Sequence, residues 1–124
     1  MTITPYYAAV VALGFAFLSF RTLRLRRTLN IALGDEGDHR MQRAMRVHAN
    51  FAEYAPLTLL VIFMFEMRGG NPVFVHLLCI LLVVGRLVHA VGVSRMSEDY
   101  RFRVAGMAMT LTALIGGALA ILST

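Results

Sequence analysis

Long apolar runs alternate with short polar, arginine-bearing segments along this chain. Four runs stand out, at about residues 4–23, 47–67, 72–93 and 104–123. Each has roughly the twenty residues a helix needs to cross about 30 Å of hydrocarbon. None alternates with a period of two, and in lipid the backbone polar groups must be paired within the segment, so helices are predicted. From Thr4 to Phe20 the only ionisable groups are Tyr6 and Tyr7, residues suited to an interfacial belt. The stretch Arg68-Gly69-Gly70-Asn71-Pro72 predicts a tight turn, with glycine closing one helix and proline opening the next. Ser94 to Asp99 predicts a second short connection. Arg21 to Arg46, centred on Gly34-Asp35-Glu36-Gly37-Asp38, predicts a long, irregular polar loop. The expected fold is all-α: one integral membrane domain over residues 1–124, built as a four-helix bundle.

Composition sharpens this picture. The chain has 124 residues, of which 58% are hydrophobic, and a mean hydropathy of +0.68. That is too apolar for a small domain with a solvated surface. All twelve basic residues are arginine and the net charge is +5. A basic chain can signal nucleic acid, but these arginines flank apolar runs and form no basic face, so a nucleic-acid partner is not expected. Their distribution instead sets a topology. The first loop and its flanks carry Arg21, Arg24, Arg26, Arg27, Arg40, Arg43 and Arg46; the third connection carries Arg86, Arg95, Arg101 and Arg103; the middle turn carries Arg68 alone. By the positive-inside rule the first and third connections face the cytoplasm, and both termini lie on the outer side. No basic residue precedes the first run, so the N-terminus is expected to be a spanning helix and not a cleavable signal. The single cysteine, Cys79, permits no intrachain disulfide.

Candidate chemistry concentrates near the predicted cytoplasmic level. Arg46, Asn50 and Glu53 are spaced i, i+4, i+7 and share one helix face. Alone, Arg46 would serve as a snorkelling topology signal and Asn50 as a helix–helix hydrogen bond. Glu53 is different, because it falls two turns into the span, where a carboxylate must find a cation or give up its charge. A paired polar cluster with Arg46 and Asn50 is therefore expected. Arg86 and His89 are i, i+3 neighbours on the third span, and Arg101 and Arg103 open the fourth. A lone histidine or a pair of flanking arginines is ordinarily structural. Gathered at one membrane level, these side chains make a cationic pocket suited to a small ligand bearing carboxylates, which guanidinium forks grip bidentately. No metal site is expected, since His39, His48, His76 and His89 lack ligand spacing and Cys79 has no thiol or imidazole beside it in sequence. Gly85, Gly92, Gly106, Gly116 and Gly117 mark close-packing positions between helices.

The motif Arg46-x-x-x-Asn50-x-x-Glu53-Tyr54-x-Pro56 closely resembles the second-helix signature of the MAPEG family, the membrane-associated proteins of eicosanoid and glutathione metabolism. The four-span layout, the length and the polar first loop are similar too. This resemblance implies a homotrimer with glutathione as cosubstrate, held between subunits and open to the cytoplasm of a bacterial inner membrane. It implies that Arg46, Asn50, Glu53 and Tyr54 contact the tripeptide, and that Arg86 and His89 line the same pocket. Arg103, with Arg101 as the alternative, would stabilise the glutathione thiolate for attack on a small lipophilic substrate, by transfer or peroxide reduction. One of Arg21, Arg24, Arg26 or Arg27 would reach in from the neighbouring subunit. Val93 stands where the family often has a tyrosine, and Val104 and Met107 where some members carry hydroxyls. Those departures speak against a specialised prostaglandin or leukotriene reaction. The rival readings are a small transporter and a non-catalytic structural protein. Small proton-coupled exporters carry their carboxylate in the first helix, which here has none, and the arginines would repel the cations they export.

Overall fold

The computed structural model describes all residues from Met1 to Thr124. Four helices follow in order: α1 (Thr4–Leu29), α2 (His39–Met67), α3 (Pro72–Ser94) and α4 (Tyr100–Ser123). All four are long and apolar enough to cross a membrane. Only 26 of 124 residues are buried, while Leu13, Phe17, Leu60, Leu77, Ile115 and Leu119 are exposed. Most of the apolar surface is therefore left for lipid or a second copy of the chain to cover.

The caps follow the sequence chemistry. The Asp38 carboxylate accepts the backbone N–H groups of Arg40 and Met41 to start α2. Asn71 does the same for Val73 and Phe74 at α3, with Pro72 in the first turn. Asp99 accepts from the Arg101 N–H at α4. The turn between α2 and α3 closes as expected. Gly69 adopts a left-handed φ of +84°, and a Cβ on Gly70 would meet the Phe65 ring at 2.5 Å.

The first connection corrects the sequence expectation. In place of an irregular loop from Arg21 to Arg46, only residues 30–38 are non-helical. Both helices run past the apolar cores into the polar zone, because their arginine-rich ends carry an apolar stripe. Ile31, Met41 and Ala44 are buried together, with Leu25, Leu29 and Met45 packed against them. Counting charges hid that stripe.

In lipid, helices associate by close packing more than by burial of apolar surface, so small residues decide where they touch. The tightest meeting is between α3 and α4. A Cβ on Gly106 would lie 2.6 Å from the His89 backbone nitrogen and 2.7 Å from the Gly85 carbonyl oxygen. A Cβ on Gly92 would lie 2.7 Å from that of Phe102. The glycines expected at helix contacts are indeed there. α2 approaches the other three helices, whereas α1 and α4 have no close backbone approach to each other.

Candidate functional site

Midway along the bundle, α2, α3 and α4 converge on one guanidinium. Arg86 on α3 is only 2% exposed, yet no carboxylate lies within ion-pair distance of it. Its charge is held by dipoles. Nη1 donates to Asn50 Oδ1 at 2.5 Å and approaches the Asn50 carbonyl oxygen at 3.4 Å. Nε donates to Thr110 Oγ1 at 3.0 Å, and that hydroxyl donates to the Gly106 carbonyl at 2.9 Å. Nη2 lies 3.3 Å from Met107 Sδ. The guanidinium also sits over the Tyr54 ring, 5.8 Å from its centroid. Asn50, Tyr54 and Arg86 thus lie together, and Arg86 ties α2 to α4.

Thr110 escaped the sequence reading, and Met107 entered it only as a departure from the family pattern. They follow Arg103 at i+7 and i+4, the spacing that singled out the α2 stripe, but neither is charged. His89 is 4% exposed, pressed under Gly106, and its ring makes no hydrogen bond within the chain.

Arg46 and Glu53 behave differently. Both are exposed and neither makes a side-chain hydrogen bond or ion pair. The intrachain pairing expected for Glu53 does not form, because Asn50, one turn away, turns inward to Arg86 while Arg46 and Glu53 stay on the outer flank of α2. A carboxylate on the outside of a spanning helix is costly unless protein or ligand covers it.

The fourth-helix arginines are also resolved. Arg101 is exposed, and its backbone N–H serves the cap. Arg103 is half-buried and lies 3.5 Å from Glu98 Oε1, while Glu98 Oε2 accepts from Arg43 Nη1 at 2.9 Å. Arg43 reaches on to the Val93 carbonyl at 3.0 Å. Glu98, whose side chain is 5% exposed, therefore pins the α3–α4 connection to α2. An arginine count made for topology gave no reason to pair it.

A model of the MAPEG family matches residues 4–123. The chain belongs to the MAPEG family. Within it, the chain is similar to the "Inner membrane protein YecN" of Escherichia coli strain K12, with 36% identity over 113 residues, covering 91% of this chain and 85% of that one. The protein of that name from E. coli O6:H1 strain CFT073 matches to the same extent. The MAPEG assignment spans all four helices, so the Asn50–Arg86–Thr110 junction and the open Arg46–Glu53 flank belong to one family domain.

Proposed function

We propose that this chain binds glutathione along the open flank of α2 and acts as a glutathione transferase or peroxidase on lipophilic electrophiles. The observation that carries the reading is that Arg46 and Glu53, on one face of a spanning helix, have no partner in their own chain. Seven residues of helix rise separate them, about 10 Å, and three extended residues span up to roughly 10–11 Å. A tripeptide with a carboxylate at each end and an ammonium at one end matches that spacing and those charges. Arg46 would take a carboxylate and Glu53 the ammonium, while Asn50 and Arg86 supply a rigid polar floor beside Tyr54 and His89. A second copy of the chain packed against α2 would shield the pair from acyl chains, in keeping with a homotrimer. The names of the similar proteins support a bacterial inner membrane as the location, and the arginine distribution supports a site facing the cytoplasm.

The cosubstrate would supply a nucleophilic sulfur, and the chain would make it ready. Arg103 is the residue proposed to hold the thiolate, with the released proton passing to water. Glu98 already shares that guanidinium, so the sulfur anion would compete with a carboxylate, and Arg101 remains the alternative. The lipophilic partner would reach the sulfur from the bilayer.

Glutathione titrated into the detergent-purified protein tests this proposal. Wild type is expected to bind, Arg46→Ala to bind more weakly, and Arg103→Ala to bind without the ultraviolet absorbance of the thiolate. No binding at millimolar glutathione would overturn it.

A further inference from the structure

Two adjoining cavities lie along α1 and share Arg21 and Ser94, the larger one against α3 and the smaller one against the start of α2. The larger, about 500 Å3, has hydrocarbon walls from Val10, Phe17, Val83, Leu87 and Val91, with Arg21, Ser94 and Arg95 at one end. The smaller, about 340 Å3, continues from Arg21 and Ser94 and is lined by Arg24, Arg40 and Arg43. No carboxylate lines either one. Acids outside them already answer two of these arginines: Arg40 pairs with Asp38 and Arg43 with Glu98. Arg21, Arg24 and Arg95 have no acidic partner. Arg21 donates from Nη1 to Ser94 Oγ at 2.9 Å, but its Nε and Nη2 are shielded from solvent and bonded to nothing. A guanidinium left this way beside an apolar wall lacks a counter-charge.

We infer that the α1–α3 groove is a site for one anionic glycerophospholipid, its phosphate at Arg21 and Arg24 and an acyl chain along Val83, Leu87 and Val91. Val10, Phe17, Leu87 and Val91 are exposed along it, so an acyl chain can lie against them. Basic pockets between spanning helices at the polar boundary take anionic headgroups, and guanidinium forks match phosphate oxygens. Zwitterionic lipids are disfavoured because no carboxylate remains to receive an ammonium group. Arg86 also lines the larger cavity, so the groove backs onto the proposed glutathione floor, but the inference does not rest on glutathione binding.

Native mass spectrometry of the full chain, delipidated and offered equal phosphatidylglycerol and phosphatidylcholine of the same acyl chains, tests the assignment. Phosphatidylglycerol should be retained with about a tenfold preference. Arg21→Gln should abolish the preference. Val91→Trp, a change at an exposed groove position, should abolish retention of both lipids while the circular dichroism stays that of wild type. Should Arg21→Gln fail to fold, Val91→Trp decides alone. Equal retention of both lipids, or unchanged retention in Val91→Trp, would overturn the inference. Displacement of the lipid by inorganic phosphate or glutathione would also overturn it, assigning the arginines to a soluble anion. So would equal competition by oleate, or a lipid-free oligomer whose second copy fills the groove.

Discussion

Arg86 and Arg46 are both arginines on spanning helices, and the fold treats them in opposite ways. Arg86 is enclosed and satisfied by a carbonyl side chain, a hydroxyl, a thioether and a ring, all from its own chain. Arg46, with Glu53 two turns on, is left open. The difference separates two kinds of polar group in a membrane protein. One is consumed in building the bundle, and the other is left without a partner in its own chain. Substitution should tell them apart, since the first changes stability and the second changes binding.

The largest effect is expected at Arg86. Arg86→Ala removes a buried side chain and strands Thr110 and Asn50, so unfolding in detergent should become easier by about 3 kcal/mol. Arg86→Lys should recover little, because a single ammonium cannot reproduce the fork between Asn50 and Thr110. A near-neutral Arg86→Ala would break the comparison. Gly106→Ala comes next, at about 2 kcal/mol, because its Cβ would press on the backbone at His89 and Gly85 and push α3 from α4. The same thermal unfolding series reads it. At the other end of the bundle, Asn71→Ala should cost about 1 kcal/mol through loss of the α3 cap.

Arg46→Ala and Glu53→Gln should leave stability within about 0.5 kcal/mol of wild type, yet each should weaken glutathione binding about tenfold or more. Isothermal titration alongside unfolding gives both numbers. Loss of stability without loss of binding would invert the assignment of the two faces. The smallest effect concerns pH. The Met41 backbone N–H, followed by the Arg40 side chain, holds the Asp38 carboxyl below its ordinary range. A folded value lower than the unfolded one, about 3.9, means the carboxylate contributes stability above about pH 4 and loses it as pH falls through the folded value. Melting curves across that range should show a slight extra loss in wild type that Asp38→Asn lacks.

Much of this was legible from residue order. Run length and the demand for internal backbone pairing dictate four helices, and Gly69 and Pro72 dictate the middle turn. The i, i+4, i+7 spacing put Arg46, Asn50 and Glu53 near one another, and i, i+3 put Arg86 with His89. Periodicity could not say that the stripe splits, with Asn50 turned inward and its neighbours outward. That depends on where α3 lies, and a few tens of degrees of helix rotation decide it. Glu98 was hidden for a similar reason. Its partners Arg43 and Arg103 are distant in sequence on one side and come from the next helix on the other. The helical stretch through Arg40 and Arg43 was hidden because charge density masked Met41 and Ala44.

Residue order alone determined that this protein is a bundle of membrane helices with its cations near one end, because hydrocarbon allows no other arrangement of such runs. It also supplied the motif by which the MAPEG family is known. Which cations are spent on the bundle and which stay available was decided only by packing, where glycines let α3 and α4 close on each other and Arg86 fills the junction they make with α2.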